Sequence, residues 1–289
     1  MTGPRRLLPA VLLPFLLAAC APGVLDPAGP VAAGERTILL NSLAIMLAII
    51  VPTILATLAF AWWFRAGNTR AKYRPDWSYS GQLELLVWSI PLLAVIFLAG
   101  IGWVGSHQLE PSRPLASRQR PLNVQVVSLD WKWLFIYPDQ GVASINRLVI
   151  PAGTPVSFRI TSATVMNSFF VPRLGSQIYA MSGMDAKLHL QADRPGQYRG
   201  LSAHYSGAGF ADMGFAVDAL PPAAFGQWVA YTRGSGPVLD GQTYQKIAAQ
   251  ETTAKPFTFR AVAPGLYDAV LKQAGTGTHD MVRHSGREE

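Results

Sequence analysis

"TILLNSLAIMLAIIVPTILATLAFAWWF", residues 37–64, determines the class of fold. It supplies well over the roughly 20 apolar residues that an α-helix needs to cross a bilayer. Pro52 lies inside this stretch and predicts a kink, and Trp62 and Trp63 near its end are typical of an interfacial aromatic belt. The chain is therefore expected to be a membrane protein.

A second apolar stretch, at about residues 85–104, predicts a partner helix, so that residues 37–105 form a transmembrane hairpin. In the connecting loop, residues 65–84, the basic residues outnumber the one nearby acid, Asp76. Short loops with such an excess stay in the cytoplasm, so both ends of the chain are expected in the periplasm. The basic residues are Arg65, Arg70, Lys72 and Arg74.

The N-terminus has the pattern of an export signal over residues 1–19: a pair of arginines, a short apolar run and small residues. The run ends in "LAAC", which resembles a bacterial lipobox and predicts that Cys20 is the lipid-modified first residue of the mature protein. An ordinary signal peptide with an incidental cysteine is the alternative. Because Cys20 is the only cysteine, an intramolecular disulfide and a two-thiolate metal centre are both excluded. Residues 20–36 are predicted to form a periplasmic tether.

The composition supports the membrane assignment and excludes one class of partner. Half of the 289 residues are hydrophobic and only 14% are charged, which is too apolar for an ordinary soluble domain. The net charge is +7, but the basic residues are scattered or flank the apolar stretches. We interpret them as topology signals and expect no binding of nucleic acid.

After residue 120 the hydrophobic pattern changes to a period of two. "LNVQVVSL" (122–129) and "PVSFRI" (155–160) alternate, and Pro- and Gly-containing turns separate such segments. This predicts an all-β sandwich over residues 121–220. Residues 221–272 are expected to be a short helical C-terminal segment, and residues 273–289 a polar, disordered tail.

Three segments carry a family resemblance that covers about residues 37–272. "HQLEPSRPL" (107–115), "SLDWKWLFIYPDQG" (128–141) and "VMNSFFVPRLGSQIYAMSGM" (165–184) are similar to segments of subunit II of the bo-type ubiquinol oxidases, a branch of the haem-copper oxidases. The resemblance implies that the sandwich is a cupredoxin-like domain.

In the cytochrome c oxidase branch, this domain holds two coppers between two cysteines, two histidines and a methionine. Thiolates, imidazoles and a weak thioether suit copper, whereas a serine hydroxyl is hard and stays protonated near neutral pH. The resemblance implies that the ligands are lost here, leaving one match, and that His204 replaces a carboxylate between the cysteines. His107 and His189 are isolated, and no metal role is expected for them. The lost copper-ligand positions are Asn167, Ser202, Ser206, Phe210 and the retained Met213.

Glu84, in "GQLELLVWSIP", is the one acid at the start of the second apolar stretch. A carboxylate there is costly unless it meets water or a partner. The resemblance implies that Glu84 lies at the mouth of a proton channel into the catalytic subunit and takes up protons. The alternative is an interfacial anchor that reaches the headgroups.

Three further side chains are candidates for contact with the catalytic subunit: Trp131, Trp133 and Arg173. The tryptophans flank Lys132 on a strand that lies near the electron entry surface in copper-bearing relatives. Without copper, they are expected to fill the contact between the subunits. Residues 165–184 are dense in apolar side chains and predict a docking surface, with ordinary sandwich core as the alternative.

The sequence therefore predicts subunit II of a proton-pumping ubiquinol oxidase in a bacterial inner membrane, with no redox centre and no catalytic residue of its own. Haems and one copper are expected in the large subunit I, with small subunits III and IV as further partners and no binding of cytochrome c. Two alternatives remain open. One is subunit II of a cytochrome c oxidase with a copper centre, which the missing ligands disfavour, and the other is a membrane-anchored scaffold lipoprotein.

Overall fold

The structure, a computed structural model, describes residues 23–72, 74–249 and 254–273. They form two compact units: Gly34–Glu110 is one, and the chain up to Ala33 together with the chain from Pro111 onward is the other. The predictions for the export signal, for Cys20 and for nearly all of the C-terminal tail lie outside the described residues.

The first unit contains helix α1 (Pro30–Trp63), except for its first four residues, which belong to the other unit, and helix α2 (Gly81–Gln108). Both are long and apolar enough to cross a membrane, judged by length and composition. Their apolar side chains are largely exposed, which suits a lipid environment. The helices run beyond the predicted spans at both outer ends, because apolar residues mark only the part inside lipid, whereas backbone hydrogen bonding continues into the polar flanks.

Hydroxyl groups inside these helices bond to the backbone of the preceding turn. Thr53 and Thr57 donate to the carbonyl oxygens of Ile49 and Thr53, at 2.7 and 2.8 Å. Ser89 donates to Leu85 in the same way. These bonds satisfy polar groups that would otherwise be stranded in hydrocarbon.

The second unit is a β sandwich. The larger sheet has the strand order β12-β3-β2-β1-β5-β8 and the smaller one β4-β10-β9-β6-β7, while β11 and β13 pair separately. Strand β1 is parallel to β5, and β4 is parallel to β10; the other pairs in these two sheets are antiparallel. The strands are β1 (Leu122–Leu129), β2 (Lys132–Tyr137), β3 (Val142–Ile145), β4 (Arg147–Pro151), β5 (Val156–Ser162), β6 (Asn167–Phe170), β7 (Ile178–Ala180), β8 (Ala186–Leu190), β9 (Gly196–Ser202), β10 (Gly214–Leu220), β11 (Val238–Leu239), β12 (Phe257–Phe259) and β13 (Ala261–Val262).

The main core lies between the two sheets and is rich in aromatic rings. Trp133 and Phe135 on β2 point toward Phe169 on β6 and Phe215 on β10. The ring centroids of Trp133 and Phe169 are 5.5 Å apart in an edge-on arrangement, and those of Phe135 and Phe215 are 5.3 Å apart. Full burial of one such side chain stabilises a fold by roughly 2–3 kcal/mol.

A second core covers the outer face of the larger sheet. Leu134 and Ile136 alternate with the aromatic residues of β2 and pack with Tyr244 and Tyr267 of the C-terminal segment. Strand β2 is consequently buried along its whole length. The sequence predicts a sandwich with one buried face per sheet, and the second buried face exists because the C-terminal segment returns to this sheet.

The C-terminal segment is less uniformly helical than predicted. It contains α3 (Pro222–Gly234), α4 (Gly241–Ala248) and α5 over residues 266–273, but also the short strands β11, β12 and β13. Strand β12 pairs with β3 and extends the larger sheet. Two or three residues are too few to show a period, so pattern alone could not separate these strands from loops.

A charged cluster fastens α5 to the sandwich. The Arg159 guanidinium lies 2.9 Å from a carboxylate oxygen of Asp185 and 4.8 Å above the ring of Tyr267. Tyr267 donates its hydroxyl to Asp185 at 2.9 Å. Burial and this hydrogen bond raise the pKa of Tyr267 well above its usual value, so the hydroxyl remains a donor across the physiological pH range.

Residues 23–33 differ from the predicted tether, because they pack against the sandwich. The backbone N–H of Ala28 donates to the carbonyl of Arg173 at 2.7 Å, and the N–H of Asp193 donates to Ala28 at 2.8 Å. Arg173 forms a 2.6 Å ion pair with Asp26. Ala28 and Ala32 are buried, so this part of the chain belongs to the β unit.

Candidate functional site

The site that the sequence singled out is a loop between β9 and β10, residues 203–213. It leaves β9 after Ser202, forms a short 3-10 turn at Phe210–Asp212, and enters β10 at Gly214. Strands β6 and β9 are neighbours, with Phe169 opposite Ser202. This pairing brings Asn167, at the start of β6, to the same end of the smaller sheet as the loop.

Four of the five lost copper-ligand positions are joined by direct hydrogen bonds. The Ser202 hydroxyl donates to the side-chain oxygen of Asn167 at 3.1 Å, and both residues are buried. The Ser206 hydroxyl donates to the sulfur of Met213 at 3.8 Å. The N–H of Ser202 donates to the carbonyl of Met213 at 3.3 Å and links the two pairs. The fifth, Phe210, is half-buried and packs edge-on against Tyr205.

Trp131 covers this loop from the turn between β1 and β2. Its indole N–H donates to the carbonyl of Ser206 at 3.0 Å. A Cβ added at Gly209 would lie 2.3 Å from the indole ring, so only glycine permits this close packing. Trp131 adopts a φ of 62°, an uncommon backbone conformation for a bulky residue. The turn therefore aims the indole at the loop at the cost of local strain.

The donor atoms gathered here do not fit a binuclear copper centre. They are two hydroxyls, one amide and one thioether, and Phe210 offers no lone pair. A binuclear copper centre requires thiolate ligands, which serine hydroxyls cannot replace. Within residues 23–72, 74–249 and 254–273, no three side chains of His, Cys, Asp or Glu come together to hold a metal ion.

The two tryptophans of the "DWKW" motif have different environments. Trp131 is half-buried, whereas Trp133 has no exposed surface and packs in the main core. A side chain without exposed surface cannot touch another chain, so the prediction of a subunit contact through Trp133 is wrong. Alternation along a strand sends residues i and i+2 to one face, but Trp131 lies in the turn before β2, which begins at Lys132, so this rule does not apply to the pair.

The third candidate for a subunit contact, Arg173, is engaged within the chain. Besides its ion pair with Asp26, its guanidinium lies 5.3 Å from the ring of Tyr198. Its side chain keeps 24% of its surface exposed. It can therefore hold residues 23–33 and still offer part of its charge to a partner.

Large apolar side chains are exposed around the loop. Tyr205, on the loop itself, is 72% exposed, and Tyr179 packs edge-on against His204 next to it. Val165 and Met184 are also exposed, at either end of the segment predicted to dock. Exposed apolar residues of this size at one region of a domain are typical of an interaction surface.

Glu84 lies in the first turn of α2, in the hairpin unit, and its side chain is exposed. The positive end of the helix dipole favours a carboxylate in this turn. His107 is at the opposite end of the same helix, where a ring nitrogen lies 2.8 Å from the carbonyl of Trp103. His189, in the β unit, bonds to Pro111 and Ser157. Local hydrogen bonds thus account for both histidines.

Sequence patterns missed two buried polar side chains, Lys132 and Asn146. Lys132 is buried and donates to the carbonyl of Ala249 at 2.8 Å. Asn146 has a φ of 52°, accepts the N–H of Trp133 at 2.8 Å and donates to the carbonyl of Ala254 at 2.9 Å. The only hint in the sequence was an asparagine between two strand patterns, a position that tolerates positive φ. Both side chains hold the C-terminal segment to β2.

A membrane hairpin followed by a two-sheet sandwich is the architecture expected of an oxidase subunit II with a cupredoxin-like domain. A family model described as "Cytochrome C oxidase subunit II, periplasmic domain" matches residues 139–220. "Ubiquinol oxidase subunit 2" of Acetobacter aceti is 48% identical over 265 residues, which is 91% of this chain and 86% of that protein. The chain belongs to the ubiquinol oxidase subunit 2 family.

Two further relatives show how widely this similarity extends. "Cytochrome bo(3) ubiquinol oxidase subunit 2" of Pseudomonas aeruginosa is 43% identical, covering 93% of this chain and 84% of the relative. "Quinol oxidase subunit 2" of Bacillus subtilis is 36% identical, covering 86% and 78%. The chain therefore matches these relatives over most of their length, hairpin included.

Proposed function

We propose that the chain is subunit II of a proton-pumping, bo-type ubiquinol oxidase in a bacterial inner membrane. The complex would oxidise two ubiquinols to ubiquinones and pass four electrons, with four protons, to one O₂ to form two waters. Membership of the ubiquinol oxidase subunit 2 family supports this proposal. The chain contributes no redox centre, and the haems and one copper belong to the large subunit I.

The observation that carries the proposal is the hydrogen-bonded loop at the lost copper site. Ser202 bonds to Asn167 and Ser206 to Met213, at positions where an electron-accepting centre needs thiolates and imidazoles. Cytochrome c would find no acceptor on such a surface. A lipid-soluble quinol can instead deliver electrons directly to the large subunit within the membrane.

The role of the β unit is then to bind and support the large subunit. The exposed side chains of Val165, Tyr179, Met184 and Tyr205 are suited to that contact, together with the exposed part of Trp131. Arg173 would add a charge at its margin. Burying aromatic side chains at such a contact gives much of the binding free energy of an interface.

The role of the hairpin is to anchor the chain and to bring Glu84 to the cytoplasmic surface. The basic loop before α2 favours a cytoplasmic position, which leaves the N-terminus and the β unit in the periplasm. An exposed carboxylate at the start of α2 is placed to collect protons for a channel in the large subunit. Subunits III and IV would complete the complex.

The test is the composition of the complex isolated through an affinity tag on this chain. We expect a haem-containing large subunit to co-purify, ubiquinol to be oxidised by the complex, and the separated chain to carry no copper. Two coppers per chain, with near-infrared absorption, would make it subunit II of a cytochrome c oxidase. Purification without any haem would instead favour a scaffold lipoprotein.

A further inference from the structure

The loop between the two helices forms a concave, positively charged surface, which we name the basic loop pocket. It encloses about 840 Å³, and the residues that line it come from the end of α1 and from the loop that follows. The aromatic side chains of Trp63 and Trp77 line it together with the basic ones of Arg65, Arg70, Lys72 and Arg74. All of these side chains are exposed.

Part of this charge serves the helix itself. Arg65 donates to the carbonyl of Trp62 at 3.0 Å, and its guanidinium lies 4.9 Å from that ring. Asn68 donates to the carbonyl of Trp63 at 2.6 Å. These bonds satisfy the free carbonyls at the C-terminal end of α1, where a positive charge is favourable. Helix capping thus accounts for Arg65 and Asn68.

The remaining cations of the pocket are Arg70, Lys72 and Arg74. Among the residues that the structure describes, Arg70, Lys72 and Arg74 form no ion pair with a carboxylate. Asp76 is the one acid among residues 65–80, which hold four basic residues. The pocket therefore carries an uncompensated positive charge that can bind an anion.

The surroundings of the cations indicate what kind of anion fits. The pocket begins at Trp63, where the apolar helix α1 ends, and Trp77, which also lines it, is 58% exposed. Tryptophan at this level lies among lipid headgroups. A phospholipid offers a phosphate to the cations and acyl chains to the adjoining apolar surface, whereas a small soluble phosphate offers only the first. Basic pockets at the membrane ends of helices suit such headgroups.

We infer that the basic loop pocket binds the headgroup of an anionic phospholipid, with Arg70, Lys72 and Arg74 as phosphate ligands. Each basic residue near an anionic membrane surface contributes about 1 kcal/mol, which corresponds to a roughly five-fold change in affinity. This inference does not depend on oxidase activity. It requires only that the hairpin lies in a membrane.

Native mass spectrometry of the complete detergent-purified protein, with whatever subunits accompany it, tests this inference. Phosphatidylglycerol is expected to bind about ten-fold more tightly than phosphatidylcholine, because the choline cation of phosphatidylcholine offsets its phosphate charge and repels the basic residues of the pocket. The double variant R70Q/K72Q should weaken phosphatidylglycerol binding about 25-fold. Arg65 and Arg74 remain in this variant and preserve the charge bias that orients the hairpin.

The control variant is R118Q/R120Q, which removes the same charge from two exposed arginines of the β unit. It should leave lipid binding unchanged. Unaltered binding in R70Q/K72Q, or an equal loss in both variants, would overturn the inference. Glycerol phosphate at millimolar concentration should not displace the lipid; full displacement would show a site for a soluble phosphate and would equally overturn it. Because turnover is not measured, failure here leaves the proposed oxidase function intact.

Discussion

At the scale of single residues, hydrogen bonds join side chains at positions that the sequence predicts to be lost copper ligands. Ser202 donates a hydrogen bond to the side-chain oxygen of Asn167. Ser206 does the same with the sulfur of Met213. A typical net hydrogen bond contributes about 1 kcal/mol, and a buried polar group left without one costs more than that. These hydrogen bonds therefore stabilise the loop through contacts within the chain itself.

Glu84 is the residue on which the proposed proton uptake can be tested. The variant Glu84→Gln keeps the size of the side chain and is compatible with the helix. It removes the negative charge and the ability to carry a proton. We expect oxygen reduction to slow by about ten-fold or more, in line with the contribution of a positioned proton donor. Oxygen consumption by the purified complex, with ubiquinol in excess, measures the effect.

Two controls accompany that measurement. Glu84→Asp should recover part of the activity, because it restores an ionisable group in the same turn. Gln82→Ala changes an exposed residue two positions earlier and should have no effect. If Glu84→Gln assembles with its haem partner and turns over at the normal rate, Glu84 is only an interfacial anchor.

At the scale of elements, residues 23–33 and the start of α1 are more closely bound to the sandwich than their composition indicates. Gly29, directly before α1, is buried against the backbone of Gln191. A Cβ built on Gly29 would lie 2.0 Å from the Gln191 carbonyl oxygen. Neither of these backbones can move without disturbing the hydrogen bonds that Ala28 makes on both sides. Glycine is required here for close approach.

Gly29→Ala should therefore destabilise the protein, by about 1–3 kcal/mol, which is the usual cost of forcing atoms into a packed region. For a protein of this size, that corresponds to a fall in Tm of several degrees. Thermal unfolding of the detergent-purified chain, followed by circular dichroism, measures it.

Gly226→Ala is the matched control, because Gly226 is exposed within α3 and a Cβ there would meet nothing within 4 Å. It should raise stability by up to about 1 kcal/mol through helix propensity. An unchanged or increased Tm for Gly29→Ala would mean that residues 23–33 do not hold the packed position described here.

At the scale of the whole molecule, two apolar helices of 34 and 28 residues account for membrane anchoring without help from a lipid group. Acylation adds only about 0.8 kcal/mol for each buried CH₂ group, so it supplements two spanning helices rather than replacing them. We expect the Cys20→Ser variant to remain in the membrane fraction after alkaline carbonate washing.

Mass spectrometry of the unaltered protein should find a diacylglyceryl group on residue 20. An unmodified residue there would show that the lipobox prediction is wrong. Release of Cys20→Ser into the soluble fraction would show that the two helices do not anchor the chain by themselves.

The sequence was sufficient for the class of fold, because it depends on local patterns, whereas the lost copper-ligand positions remain a prediction from the family resemblance. Long apolar runs and the alternation along β1 and β5 are visible without a structure. Burial of Trp133 could not be predicted, because it depends on the turn at Trp131 and on rings from distant strands. The contact of Ala28 with residues 173 and 193 likewise depends on a chain separation of more than 140 residues.

The hydrogen-bonded loop also has a consequence for how the protein is made. A copper-bearing domain needs deprotonated thiols and bound metal to complete its site, so its yield depends on the copper supply of the cell. Here Trp131, Asn167 and Met213 hold the loop through bonds present in the chain itself. We expect biogenesis of this subunit to proceed at the same rate in copper-starved cells, and any copper requirement of the complex to arise in the large subunit alone.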